Sequence, residues 1–174
     1  IDDDRIGVVV GDVSGKGVPA ALLMAICRTL IRGSALEGGT PHECMAAVNN
    51  TISGDVVPGM FVTVFYGVLN TRTGSLEYCC AGHFAPYVIS ESGVRALESV
   101  GGLVIGAVPG WTYESTTVQL NPGDVLFEFS DGVTEAKAAD DSDFEEAKLE
   151  ACLAGTHSLR AEEATEGGWV LQRP

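Results

Sequence analysis

The chain has 174 residues, is 45% hydrophobic and carries a formal net charge of −14. This length favours one domain, and the apolar content excludes an intrinsically disordered chain. The negative charge excludes a nucleic-acid-binding surface, because no basic stripe is available to pair with phosphates.

The first part of the chain predicts a strand, a tight turn and a helix. Residues 6–12 are apolar and end in Asp12, so they predict a buried strand with a carboxylate at its exit. A turn of small residues follows. Pro19 then opens a helix over residues 18–33, which Gly33 is suited to end.

A second helix and a region rich in strands come next. Thr40 and Glu43 have the spacing of a capping box, which predicts a helix from residue 41 to about residue 52. Residues 60–69 are apolar on both faces and predict a strand inside a sandwich. Turn-forming residues separate further predicted strands over residues 76–81, 86–89, 113–120 and 125–131.

The end of the chain is less regular. Residues 144–153 predict a helix and residues 158–164 a shorter one, while residues 169–172 resemble the end of a strand. We expect one domain over residues 1–174, truncated at its N-terminus and with omitted segments near residues 140 and 165.

The cysteines and the hydropathy bear on where the protein resides. The five cysteines match no zinc-binding spacing, and the apolar surroundings of Cys79 and Cys80 favour free thiols. No apolar run of transmembrane length and no signal peptide are visible. We therefore expect a cytoplasmic protein with no membrane span.

Two aspartates stand in the same sequence context, far apart in the chain. Asp12 follows the apolar strand predicted over residues 6–12, and Asp131 follows the one predicted over residues 125–131. Glycines nearby would let the backbone approach a ligand closely. Carboxylates bind hard cations such as Mg²⁺ and Mn²⁺, so the pair suggests a metal site built across a sheet. Capping of the adjacent turn is the open alternative for each aspartate.

Two other kinds of enzyme site fit the sequence poorly. A nucleotide-binding loop is disfavoured because Gly11 lies one residue too close to the following Gly-Lys pair, and Gly17 replaces the residue that would hold magnesium. His83 with Ser14 or Ser130 suggests a hydrolase, but no Gly-x-Ser-x-Gly motif is present. For His83, holding a turn by hydrogen bonds is open beside catalysis and metal binding.

Four blocks of sequence, in order, carry a resemblance to a known family. The blocks cover residues 11–24, 60–67, 81–86 and 122–136. They resemble the bacterial sporulation and sigma-factor-regulator branch of the metal-dependent (PPM, type-2C-like) serine/threonine protein phosphatases. The resemblance covers about residues 6–136 and implies an α+β fold, an αββα sandwich of two antiparallel sheets flanked by helices.

The same resemblance implies a centre with two Mn²⁺ or Mg²⁺ ions. By motif position, Asp12 would bridge both ions, the Val13 carbonyl would bind one of them, and Asp131 would bind the other. Lys16 would contact phosphate, with a solvated turn lysine as the open alternative. Two further acids of the family motif have no counterpart here, which the expected omissions would explain.

The activity implied by the resemblance is that of a phosphoprotein phosphatase. It would hydrolyse phosphoserine or phosphothreonine on a regulatory protein of the anti-anti-sigma type, by attack of a metal-bridging water. An upstream sensor domain is a further implied partner. Two alternatives stay open: a catalytically inactive module that binds a phosphoprotein, and a phosphatase that acts on a small molecule.

Overall fold

The structure is a computed structural model that describes residues 1–54, 59–134, 146–154 and 169–172. The elements, in chain order, are β1 (Arg5–Val13), α1 (Val18–Leu36), α2 (Pro41–Ile52), β2 (Val62–Asn70), β3 (Ser75–Ala81), β4 (Tyr87–Ser90), β5 (Gly93–Ala96), β6 (Gly101–Gly102), β7 (Thr116–Gln119), β8 (Val125–Glu128), α3 (Asp131–Thr134), α4 (Glu146–Leu153) and β9 (Trp169–Gln172).

The chain divides into two compact units. Unit 1 comprises Ile1–His83 and Ser99–Gln119, and unit 2 comprises Phe84–Glu98 and Leu120–Pro174. Each unit combines a largely antiparallel sheet with helices, which confirms the predicted α+β class with two antiparallel sheets. The arrangement of these sheets as the inner layers of a sandwich stays a prediction.

The sheet of unit 1 is built around β2. β2 pairs antiparallel with β1 along one edge and with β3 along the other, so it is a central strand. Its side chains are mostly buried on both faces, as its apolar sequence predicted. β3 also pairs antiparallel with β7 and parallel with the short β6. The strand predicted over residues 113–120 is therefore shorter than expected, since only Thr116–Gln119 reach β3.

Helices α1 and α2 pack against this sheet. Apolar side chains from both helices and from the strands share one buried core that includes Leu23, Ile31, Met45, Val64 and Tyr66. All five cysteines are free thiols, which confirms the prediction for Cys79 and Cys80, and every one except Cys152 is buried. Within the described ranges, α1 alone is long and apolar enough to cross a membrane by length and composition, which the prediction of no apolar run of transmembrane length did not anticipate.

The two helix predictions differ in how well their ends are placed. For α2 the capping box is confirmed, with the Thr40 N–H donating to Oε2 of Glu43 at 2.9 Å. For α1 the predicted end at Gly33 is wrong, because the helix continues to Leu36. Gly33 has open space around it and stays helical, whereas Gly38, with φ +87°, takes the left-handed conformation beyond the helix.

Unit 2 holds the second sheet, in the order β5-β4-β8-β9. Its core is aromatic, with Phe129 stacked on Phe84 at 5.0 Å between ring centroids and on Phe127 at 6.2 Å. α4 contributes Leu149 and Leu153 to this core, which confirms the predicted helix from residue 146 onward. β9 pairs with β8, so the predicted late strand is confirmed. The helix predicted over residues 158–164 lies outside the described residues.

Candidate active site

Asp12 lies near the end of β1, where backbone groups position both its main chain and its carboxylate. It pairs with Thr63 of β2 in an antiparallel register. Its Oδ1 accepts a hydrogen bond from the Val13 N–H at 2.9 Å. The side chain is partly buried, and no residue that the structure describes donates to its second carboxylate oxygen. One oxygen therefore orients the carboxylate, and the other is available for a ligand.

The turn after Asp12 is fixed at its base and open at its tip. The Ser14 N–H donates to the Phe61 carbonyl at 2.9 Å, and the Phe61 N–H donates to Oγ of Ser14 at 2.8 Å. Gly15 and Gly17 then take positive φ values of 90° and 82°, and a Cβ at either position would meet no atom within 4 Å. This conformation suits glycine and leaves space beside the turn.

Lys16 lies exposed between these two glycines. Its ammonium forms no ion pair with a residue in the described part of the chain. The predicted contact with phosphate stays a prediction, and both interpretations of this lysine remain compatible with its position.

Thr63 and His83 complete the surroundings of Asp12 within unit 1. Oγ1 of Thr63 lies 3.3 Å from the Asp12 carbonyl oxygen and 2.9 Å from Nδ1 of His83. The hydroxyl has one hydrogen, so both bonds form together only if the hydroxyl donates to Asp12 and Nδ1–H donates to the hydroxyl. His83 is buried and forms this hydrogen bond to a residue of β2, so the suggestion that it holds a turn stays a prediction.

The sequence interpretation did not identify Thr63. The signal that would have found it is the pairing of strands: with residues 60–69 placed beside residues 6–12, Thr63 falls opposite Asp12. Register across a sheet is set by side-chain pattern and turn geometry, and the long connection between β1 and β2 gives no turn from which to count.

Asp131 belongs to unit 2 and has a different setting. β8 ends at Glu128, so the predicted strand up to residue 131 is wrong at its C-terminal end. Asp131 is the exposed first residue of α3, and the Val133 N–H donates to the Ser130 carbonyl at 3.0 Å. A Ser-Asp-Gly sequence favours a turn over an extended chain, which explains the early end of the strand.

Glu128 is a buried carboxyl that the sequence interpretation also missed. It is 2% exposed in β8, opposite Trp169 of β9. Burial raises the pKa of Glu128 to about 9, so its carboxyl is protonated at neutral pH. The signal was a single acid in an apolar run, in which each neighbour from Val125 to Phe129 is hydrophobic.

The oxygen atoms near the two aspartates are of the type that binds a hard divalent cation, but the described residues bring too few of them together. Asp12 and Asp131 offer carboxylates and Val13 offers a carbonyl, which are the ligands that Mg²⁺ and Mn²⁺ prefer. In the described ranges, no group of three or more His, Cys, Asp or Glu side chains is placed to hold a metal. Asp12 lies in unit 1 and Asp131 in unit 2, so a shared centre remains a prediction.

Comparison with known proteins identifies relatives over most of the chain. Residues 2–167 match the family model described as stage II sporulation protein E (SpoIIE). The phosphoserine phosphatase RsbU of Bacillus subtilis is 31% identical over 137 residues, which cover 78% of this chain and 41% of that protein. Protein IcfG of Synechocystis is 28% identical over 191 residues, which cover 93% of this chain and 30% of that protein. The chain thus spans well under half the length of these curated relatives.

Solved structures of related phosphatases share the fold of this chain. The RsbU and RsbW domains of a Mycobacterium tuberculosis protein superpose with a TM-score of 0.79 and 30% identity, over 94% of this chain and 47% of that one. The SiaA-PP2C domain of Pseudomonas aeruginosa superposes with a TM-score of 0.77 and 20% identity, over 94% of this chain and 65% of that one. The PP2C phosphatase domain of SpoIIE from Bacillus subtilis gives a TM-score of 0.75 at 16% identity, over 87% of this chain and 43% of that one.

Proposed function

The chain belongs to the SpoIIE family, whose relatives have the PP2C phosphatase fold, and on this premise we propose that it is a metal-dependent phosphoprotein phosphatase. Its substrate would be phosphoserine or phosphothreonine on a regulatory protein of the anti-anti-sigma type. The name of the relative RsbU, a phosphoserine phosphatase, supports this chemistry, as does the resemblance of the four sequence blocks. A sensor domain elsewhere in the full-length protein would control the activity.

The observation that carries the proposal is the setting of Asp12. A carboxylate oriented by the next backbone N–H stands beside a turn with open space at Gly15 and Gly17. This arrangement offers a ligand one carboxylate oxygen of Asp12 and lets the ligand approach the backbone of the turn closely.

In the proposed site, Asp12, the Val13 carbonyl and Asp131 would hold two Mn²⁺ or Mg²⁺ ions. When bound, such ions neutralise charge on a phosphoryl group and lower the pKa of water, which is the chemistry that phosphate-ester hydrolysis requires. The protein orients the ligand atoms: the Val13 N–H holds the Asp12 carboxylate, and Thr63 ties the Asp12 backbone to His83. Lys16 would attract and orient the phosphate from the adjacent turn.

The test uses the full-length protein with a phosphoserine-containing regulator of the anti-anti-sigma type. We expect phosphate release that requires Mn²⁺ or Mg²⁺ and stops when a chelator is added, and binding of Mn²⁺ by calorimetry. Failure to bind Mn²⁺ in a folded protein would contradict the proposal and favour a phosphoprotein-binding module. Faster turnover of a small phosphate ester than of the phosphoprotein would favour a small-molecule substrate.

We also propose that the protein acts in the cytoplasm. All five cysteines are free thiols, including the exposed Cys152, and free thiols persist in a reducing compartment. Fractionation of cells that express the full-length protein tests this location.

A further inference from the structure

The loop that follows β6, residues 103–112, presents apolar side chains at the surface of unit 1. Leu103 is 40% exposed, Val108 41% and Trp111 38%. One such residue by itself would be ordinary on a protein surface. Several within one short loop, with a tryptophan among them, are typical of a surface that another protein contacts. We call residues 103–112 the apolar loop.

The apolar loop is also uncharged, in a protein that is strongly acidic. No Asp, Glu, Lys or Arg occurs between Glu98 and Glu114, although the chain carries a net charge of −14. A phosphoserine is itself an anion, and like charges placed opposite each other across an interface disfavour binding. A surface without carboxylates is therefore where this protein can best receive a phosphorylated partner.

The C-terminal half of α2 holds the apolar loop by side-chain hydrogen bonds. The Gly106 N–H donates to Oδ1 of Asn49 at 2.9 Å, and Nδ2 of Asn49 donates to the Val108 carbonyl at 2.8 Å. The Gly110 N–H donates to Oδ1 of Asn50 at 2.8 Å. Because these bonds fix the backbone before a partner arrives, binding orders little of the loop and its entropic cost is lower.

Close packing against glycines fixes two side chains of the loop. A Cβ on Gly102 would collide with the indole nitrogen of Trp111, and a Cβ on Gly82 would collide with Cγ1 of Val104. Each glycine thus leaves room for a loop side chain against its backbone. Trp111 is held in place while more than a third of it stays exposed, which suits an anchoring residue of an interface.

Val62, the first residue of β2, connects the apolar loop to the proposed reaction site. It pairs with Val13 on one side and exchanges two backbone hydrogen bonds with Ile105 on the other, at 3.0 and 2.8 Å. Neighbouring strands lie about 4.8 Å apart, so the Ile105 backbone is roughly 10 Å from that of Val13. Val13 directly follows Asp12, so the apolar loop adjoins the Asp12 turn within unit 1.

A protein substrate covers more surface than the phosphate site itself. Specific protein contacts bury about 800 Å² on each partner, and a patch of that area extends roughly 16 Å from its centre. A substrate with its phosphoserine at the Asp12 turn would therefore cover the apolar loop, which begins within this radius.

We propose that the apolar loop is the docking surface for the phosphoprotein substrate and contacts apolar side chains that flank the phosphoserine. The inference rests on the proposed function, because it places the phosphoserine at the Asp12 turn. It adds what the substrate carries beside the phosphate. In an extended segment these are apolar residues within a few positions of the phosphoserine, since each residue advances the chain by about 3.3 Å.

The first experiment measures binding of two synthetic phosphoserine peptides to the full-length protein by fluorescence anisotropy, with a chelator present to prevent turnover. The leucine peptide carries leucine at the second and fourth positions on each side of the phosphoserine, because alternate residues of an extended chain share one face. The serine peptide has serine at those positions. We expect the leucine peptide to bind at least about tenfold more tightly.

A double variant of the protein locates the contact. Leu103→Gln with Val108→Gln should lower the affinity for the leucine peptide by about tenfold and bring it to that of the serine peptide. The matched control is Ile6→Gln, since Ile6 is 44% exposed and pairs with Leu69 at the end of β1 far from Asp12. This control should keep the preference for the leucine peptide. Circular dichroism and thermal melts establish that each variant is folded.

Turnover of the same peptides with Mn²⁺ separates this inference from the proposed function. A kcat/KM at least about tenfold higher for the leucine peptide, lost in the double variant, supports both. A preference in binding without hydrolysis of either peptide contradicts the proposed function and supports the docking surface. Hydrolysis of both peptides with equal kcat/KM supports the function and overturns the docking surface.

Four further results would overturn the docking surface. They are no saturation by the leucine peptide up to roughly 1 mM; equal affinity for the two peptides; a preference for leucine that survives Leu103→Gln with Val108→Gln; and self-association in sedimentation that this double variant abolishes, which would assign the apolar loop to a second copy.

Discussion

The segments around Asp12 and Asp131 look alike in sequence and fold differently. Both follow an apolar run and stand near glycine, yet Asp12 stays inside β1, partly buried, while Asp131 is exposed at the start of α3. The length of the neighbouring strand explains the contrast. β2 accompanies β1 as far as Val13, whereas the partner strands of β8 reach only to Glu128.

The glycines beside the two acids differ in the same way. A Cβ on Gly11 would lie 2.8 Å from the backbone oxygen of Thr63, whereas a Cβ on Gly132 would meet nothing closer than 3.6 Å. Gly11 is therefore required by close approach of two strands, and Gly132 is not required by packing. The pattern of an acid near glycine shows where the chain turns, but it does not reveal which acid is held by a sheet.

The largest effect should come from the acids themselves. We expect Asp12→Asn and Asp131→Asn each to lower phosphatase activity of the full-length protein by at least about a hundredfold, since even partners of metal ligands matter by ten- to a hundredfold. Phosphate release from the phosphorylated regulator measures this. Asp3→Asn, at an exposed acid in the first turn, is the matched control and should retain activity. A fully active Asp131→Asn protein would show that the two segments are unequal in function as well as in fold.

The next effect concerns the buried acid that precedes Asp131. Burial raises the pKa of Glu128 from its ordinary value of 4.5 to about 9, so the folded protein binds a proton here that the unfolded chain has lost. The contribution of this group to stability is therefore most favourable below pH 4.5 and declines as the pH rises toward 9. We expect Glu128→Gln to remove this decline and to raise the unfolding free energy at pH 7 by on the order of a few kcal/mol.

Urea unfolding of both proteins between pH 5 and pH 9 checks the Glu128 prediction. The difference in unfolding free energy between variant and parent should widen as the pH rises. Glu91→Gln, at an exposed turn position of unit 2, serves as control and should show no such trend. A constant difference across this range would mean that Glu128 does not titrate with the raised pKa.

A third effect compares the two glycines. Gly11→Ala should destabilise the protein by roughly 1–3 kcal/mol, because the added methyl must push β1 away from a backbone oxygen. Gly132→Ala should change stability by less than about 1 kcal/mol, and in the favourable direction, because alanine suits a helical position. Thermal melts of the two variants measure this difference. Equal melting temperatures would contradict the close approach at Gly11.

These cases also show what the sequence could predict. The capping box of Thr40 and Glu43 and the double-sided apolar pattern of β2 are local signals, and both predictions are confirmed. The predicted end of α1 at Gly33 was wrong because a solvent-exposed glycine is tolerated inside a helix when the next turn continues to pack. Thr63 could not be chosen without the register of two strands separated by two helices, which depends on contacts distant in sequence.

The smallest effect tests the hydrogen bonds that hold Asp12. Thr63→Val removes the hydroxyl that joins the Asp12 carbonyl to Nδ1 of His83 while nearly preserving side-chain volume. Loss of such a bond with a buried partner should lower the unfolding free energy by about 1 kcal/mol. Thr63→Ser keeps the hydroxyl and is the matched control, so it should retain most of the stability. Denaturant unfolding measures both variants. If Thr63→Val loses no stability while Thr63→Ser does, the methyl group of Thr63 and not its hydroxyl stabilises this end of β1, and the contrast with Asp131 would rest on strand length alone.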